Sequence, residues 1–217
     1  MRSSNSIECL KLCVRLRGVS PSVWRRLIVP AHSTIAELHL VIQAAMGWKD
    51  IHLHRFEIRG ESYGVWRPGS LGFRTNADDV RLNDFAFRER ERFSYIYDFT
   101  NSWWHDIRVE HVGQPSRGPR CMGGRGACPP EGSGGPRLYL VGLREHDPSQ
   151  LVCDVAELLD EETMTDEEFR DNLCEVIEEW RPWLDRLFDR RAINTALAMM
   201  GRGGHESECA TRDRMRR

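Results

Sequence analysis

Ile7-Glu8-Cys9-Leu10-Lys11-Leu12-Cys13-Val14-Arg15-Leu16 is the stretch that decides the fold. Leu10, Leu12, Val14 and Leu16 alternate with Cys9, Lys11, Cys13 and Arg15. One face is aliphatic and the other polar, the period-two pattern of a half-buried strand. Gly18-Val19-Ser20-Pro21 then turns the chain, and Val23 to Val29 reads as a second strand antiparallel to the first. Pro30 and Ser33 open a helix. Thr34 and Glu37 have capping-box spacing, Ile35, Leu38, Val41, Ile42 and Ala45 make an apolar stripe, and Gly47 is a natural stop.

Working outward, His54 to Arg59 reads as a third strand and residues 60–92 as irregular and charged. Phe93 to Phe99 is a further strand, hairpinned through Ser102-Trp103-Trp104 onto His105 to Val112. Pro119 to Gly135 reads as a rigid loop, because glycine and proline recur at almost every step. Beyond it the pattern turns helical. Leu151, Val152, Val155 and Leu158 share a face, Thr165 and Glu168 repeat the capping-box spacing, and Phe169, Leu173, Val176, Ile177 and Trp180 follow. Pro182 is expected to restart the chain, and Ile193, Ala196, Leu197 and Met200 form a last stripe.

Strands first and helices behind imply an α+β fold. The expected form is a mixed-sheet roll with a β-grasp-like ββαβ core and appended C-terminal helices. The α/β roll domain is expected over 1–145, a C-terminal helical extension packed on the same core over 146–201, and a disordered tail over 202–217, where the sequence is glycine-rich, charged and aperiodic.

The 217 residues are 40% hydrophobic and 29% charged, the composition of a soluble globular protein. A net charge of −2 excludes a global pull towards nucleic acid and leaves a local basic patch open. No apolar run approaches the roughly 20 residues of a membrane span. Met1-Arg2-Ser3-Ser4-Asn5-Ser6 leads into no apolar signal segment, so the expected location is the cytoplasm. The seven cysteines are expected as mostly free thiols, with Cys9, Cys13, Cys153 and Cys174 structural.

Three constellations carry chemistry. Cys121 and Cys128, separated by six residues, can pack beneath the glycine–proline loop or bind Zn²⁺. His54 and His105 would complete a tetrahedral site, with His52 beside them as a further donor. His52, His54, Asp98 and His105, walled by Trp103, form a second cluster, either an acid–base or metal site or a polar brace between hairpins. Arg15, Arg17, Arg25 and Arg26 around Trp24 form the third: a phosphate-binding strand surface, or the solvated face of a strand.

Four segments carry a family likeness: Val23-Trp24-Arg25-Arg26, Ala36-Glu37-Leu38-His39 running to Ala44-Ala45-Met46-Gly47-Trp48, His52-Leu53-His54-Arg55-Phe56, and Tyr97-Asp98-Phe99-Thr100-Asn101-Ser102-Trp103-Trp104-His105. With the cysteine loop they resemble the plasmid pRiA4b ORF-3-like family, some of whose members are labelled transposon TnpR proteins. The resemblance spans about residues 7–145 and implies an α/β roll, with no assigned biochemical activity. Family members typically read Asp-Phe-Gly-Asp where this chain has Asp98-Phe99-Thr100-Asn101. They often read Pro-Pro-Glu-Asp followed by Cys or Val where this chain has Pro129-Pro130-Glu131-Gly132-Ser133. An acid at 101 or 132 and a thiolate at 133 are therefore missing.

The resolvase label finds no chemistry in the residues. Ser3, Ser4 and Ser6 lie in the leader, and no helix-turn-helix follows the sheet. The expectation is a non-catalytic accessory or interaction module of plasmids or mobile elements, with nucleic acid or protein as partner and no membrane. The alternatives are a small metal-assisted hydrolase using the His/Asp cluster and a regulatory protein-binding domain.

Overall fold

The computed structural model describes residues 7–65, 72, 73, 75–160, 164–184 and 187–200. The leader serines and the tail at 202–217 lie outside the described residues.

The opening decapeptide is strand β1 (Ile7–Leu16), hairpinned to β2 (Trp24–Pro30) with Leu12 opposite Leu27 and Cys13 opposite Arg26. Helix α1 (Ile35–Met46) starts from the reciprocal capping box of Thr34 and Glu37 and ends at Gly47, whose φ of 80° is a left-handed cap. After α1 come β3 (His54–Ile58), β4 (Glu61–Gly64), β5 (Thr75–Asn76), β6 (Arg92–Tyr97), β7 (Trp103–Ser116) and β8 (Arg120–Arg125). Then follow α2 (Gly135–Glu145), α3 (Pro148–Asp160) and α4 (Asp166–Leu184), with helical backbone again over 190–200. The eight strands form one mixed sheet in the order β5-β4-β3-β6-β7-β1-β2-β8, antiparallel except for β4 with β5. With its helices this is an α+β fold.

Three expectations about local structure are corrected. Part of the charged stretch 60–92 is ordered into β4, β5 and a 3-10 turn at Leu82–Phe85. Arg59 and Gly60, both at positive φ, make the two-residue turn that hairpins β4 onto β3. The cysteine loop is a strand in its first third. Leu27 pairs with Cys121 and Arg26 with Gly123, and Gly124 marks a close approach, since a Cβ there would lie 2.7 Å from the Trp24 carbonyl and 2.6 Å from the Phe188 ring. Pro182 does not restart the chain, because α4 runs through it to Leu184.

The sheet has one covered face. Leu10, Leu12, Val14, Leu16, Leu27 and Val29 point into a core shared with Ile35, Leu38, Ile42 and Ala45 of α1. The C-terminal segments close the β8 end. Tyr139 packs edge-on to Trp103 and stacks on Trp183, and Leu197 is buried in the same core. Asn194 accepts from the Cys121 N–H at 2.8 Å and donates to the Cys121 carbonyl at 3.0 Å. A side-chain amide thus satisfies the backbone of an edge strand that would otherwise template pairing. Cys153 and Cys174, read as structural thiols within helical patterns, are exposed.

Candidate functional site

Two places stand out: a buried polar cluster between α1 and the sheet, and the open face opposite.

Ile35, His39 and Gln43 recur at intervals of four and therefore share a face of α1. That face is the buried one, so an imidazole and an amide enter the core. Such groups must find partners there. The Gln43 Nε2 donates to the Tyr95 hydroxyl at 2.9 Å, and Gln43 Oε1 accepts the Asp50 N–H at 3.1 Å. His39 Nδ1 lies 2.8 Å from the same hydroxyl, and its Nε2 lies 2.8 Å from Asp50 Oδ1. Asp50 sits at φ 55°, a left-handed conformation that aspartate tolerates better than most residues. From β3, His54 stacks on His39 with ring centroids 3.4 Å apart and planes 6° from parallel. Burial holds the Tyr95 phenol well above its ordinary pKa, a shift reinforced by the charges of Tyr97, Asp50 and Glu131.

The α1–β3 connection is pinned by the rest of the cysteine loop. Tyr97 donates its hydroxyl to Glu131 at 2.5 Å and accepts the Ile51 N–H at 3.1 Å. Glu131 also accepts the Lys49 N–H at 2.9 Å. The Trp48 indole donates to the Pro129 carbonyl at 2.9 Å while its ring stacks on Tyr97. What the loop holds is therefore the segment that carries Asp50.

The sequence-predicted histidines reach this region in different roles. His52 is part-exposed, with Nε2 3.6 Å from Asp98 Oδ2. That carboxylate is committed elsewhere: it accepts the Thr100 and Asn101 N–H groups, each at 3.2 Å, and the Asn101 side-chain amide at 2.6 Å. Asp98 braces a turn, and Asn101 donates where an aspartate would repel. His105 is fully buried between the Trp48 edge and Tyr95, and burial pushes its pKa down to about 4, so the ring is neutral. Among the described residues neither of its nitrogens has a hydrogen-bond partner.

The cysteines take another course. Cys128 Sγ lies 3.2 Å from Met46 Sδ, and burial pushes its thiol up to about 12. Burial raises Cys121 as well, and its thiol donates to the Gly123 carbonyl at 3.5 Å. The near partner of each thiol is therefore a methionine sulfur or a backbone carbonyl. Among the described residues, the group of three or more ligating side chains that converges is His39, Asp50 and His54, with donor atoms within 4.8 Å of one another. His54 alone is common to this group and the predicted metal set.

On the open face the outward parity of the strands sets Lys11, Arg15 and Arg17 beside Trp24 and Arg26, Trp104, Asp106, Arg108 and Glu110, and Arg92. Arg17 lies over Trp104 and bonds Asp106, and Arg26 lies over Trp24 and bonds Glu110 at 2.6 and 3.0 Å. Cys13, Arg15, Trp24, Arg26, Arg92, Asp106 and Arg108 line a shallow cavity of about 360 Å³. Arg25 corrects the sequence reading. Strand parity turns it inward, where it is 3% exposed and donates to the Ala45, Trp24 and Arg125 carbonyls under the Phe188 ring.

Sequence reasoning missed His39, Gln43 and Asp50, and on the open face Arg92 and Arg108. The signal for the first two was a histidine and a glutamine set in the apolar face of a well-capped helix. For the last two it was strand parity extended to the second hairpin.

The comparisons agree with this architecture. The uncharacterized protein y4hQ of Sinorhizobium fredii is 35% identical over 136 residues, 60% of this chain and 69% of that protein. The crystal structure of the protein of unknown function MM3350 from Methanosarcina mazei Go1 superposes with a TM-score of 0.60 at 28% identity, covering 87% of this chain and 98% of that one. The model of the plasmid pRiA4b ORF-3-like protein family matches residues 8–196, the sheet, α1 and the helices behind them, and the chain belongs to that family.

Proposed function

We propose that this protein is a non-catalytic accessory module of plasmid-type mobile DNA that docks single-stranded nucleic acid on the open face of its sheet. The observation that carries the reading is the pairing of Arg92 directly with Arg108 across β6 and β7, in a cavity that also holds Arg15, Arg26 and Trp24. Like charges directly opposite in an antiparallel pair destabilise the sheet, and a polyanion laid across them relieves the repulsion. Indole rings further along the same face, Trp24 under Arg26 and Trp104 under Arg17, offer stacking surfaces on which bases of a single strand rest. The overall charge of −2 makes this face a local positive field on a near-neutral molecule, which favours an oriented encounter.

The test is fluorescence anisotropy of a labelled single-stranded oligonucleotide with the wild-type chain, the R92A/R108A variant and an R88A control away from the cavity. The proposal expects binding that the double variant loses and the control keeps. Equal binding by all three removes the open face from the account.

Among the described residues no helix is long and apolar enough to cross a membrane.

A further inference from the structure

We infer that His39, Asp50 and His54 form a binding site for a divalent transition-metal ion of the zinc or cobalt type. This site lies on the opposite side of the sheet from the basic face and does not depend on it. It also differs from the cysteine set suggested by the sequence, sharing only His54.

Four observations converge. The donor atoms of the three side chains lie within 4.8 Å of one another, and His39 Nε2 and Asp50 Oδ1 are already 2.8 Å apart. Donors bound to one ion at about 2.0–2.2 Å in tetrahedral geometry stand some 3.3–3.6 Å from each other, so the hydrogen-bonded His39–Asp50 pair opens slightly and the wider pairs close to form the site. The stack of His39 and His54 brings the two imidazoles within 3.4 Å, and a tilt of the rings out of parallel turns one nitrogen of each towards a common ion. Two imidazoles and a carboxylate suit zinc, cobalt or nickel better than calcium or magnesium, which favour all-oxygen shells.

The surroundings are those of an oriented ligand set. With Nε2 turned to a metal, the His39 proton moves to Nδ1, where the Tyr95 hydroxyl 2.8 Å away accepts it as the outer partner of a ligating histidine. Gln43 ties both sides of the arrangement, donating to Tyr95 and accepting from the Asp50 backbone. The Asp50 backbone is held in its left-handed conformation by a connection clasped through Glu131 and Pro129. Access is one-sided: the His39 side chain is 3% exposed and that of Asp50 27% exposed, so an ion and a completing water enter past Asp50.

The test uses the full chain purified without a polyhistidine tag, stripped with a chelator and titrated with Co²⁺ and then with competing Zn²⁺. The expected result is one equivalent of Co²⁺ per chain, with visible d–d absorption of a nitrogen–oxygen site and no thiolate charge-transfer band. Asp50→Asn, at the exposed edge and with melting checked by circular dichroism, should weaken binding at least tenfold. Tyr95→Phe, which leaves all three ligands in place, should weaken it about 10–100-fold through loss of the outer partner of His39 Nδ1. C121S/C128S should bind as the wild type does. Three results would each overturn the inference: folded wild-type protein that takes up neither ion saturably, uptake indifferent to both Asp50→Asn and Tyr95→Phe, or a thiolate band that disappears in C121S/C128S.

Discussion

Arg92 and Arg108 face each other directly across β6 and β7 on the solvent side of the sheet, and among the described residues Arg92 has no carboxylate partner while Arg108 reaches Glu110 at 3.1 Å. Such a pair costs the free protein about 0.2–1 kcal/mol relative to a neutral one. Arg92→Gln should therefore raise the melting temperature slightly while weakening oligonucleotide binding. Thermal melts and anisotropy on the same samples check both signs. A variant that melts lower and binds equally well would make the pair structural.

Arg25 is the opposite case, a guanidinium of β2 spent on the core. Its donors satisfy three backbone carbonyls, and burial lowers its pKa without removing its charge. Arg25→Lys keeps the charge but cannot reproduce the fork. Leaving buried carbonyls unpaired should cost about 2–3 kcal/mol in urea unfolding. Binding per folded molecule should not change, because this side chain never reaches the open face.

His105 gives the pH dependence a sign. Its folded pKa of about 4 lies below the ordinary 6.5, so the unfolded chain takes the proton first as pH falls. Its contribution is complete above pH 6.5 and is lost progressively down to pH 4, by roughly 3 kcal/mol in all. Denaturant unfolding at half-unit intervals should show this slope, and His105→Phe should flatten it. An unchanged slope in a folded His105→Phe variant would assign the acid sensitivity to other groups.

Two neighbouring glycines test whether β8 is a strand pressed against its surroundings. A Cβ at Gly124 meets the Trp24 carbonyl and the Phe188 ring, whereas one at Gly123 meets nothing within 4 Å. Gly124→Ala should cost about 1–3 kcal/mol and Gly123→Ala stay close to neutral, read as shifts in urea midpoint. Equal shifts would return this segment to a loop.

The first hairpin and α1 were legible because their signals are local: alternation in Ile7 to Leu16, a capping box at Thr34 and Glu37, and a glycine stop at 47. The second hairpin was legible for the same reason. Gly123 and Gly124 misled because glycine permits a loop and a close backbone approach equally, and only the partner, Phe188, distinguishes them. The buried cluster was half-visible. His52, His54, Asp98 and His105 were picked out as residues, but which of them meet depends on a helix, a connection and a strand converging from positions 39, 50 and 54. No spacing rule spans that arrangement. Arg25 was misassigned although parity places it opposite Arg26, since adjacent arginines on one strand cannot both face solvent.

The most direct measurement is the salt dependence of single-stranded oligonucleotide binding by the wild-type chain from about 50 to 200 mM salt. Four arginines contacting phosphates at about 0.7 counterion each give a predicted slope of log K against log salt near −3, falling towards −1.5 in R92A/R108A. No binding at the lowest salt, or a slope that the double substitution leaves unchanged, would contradict the account.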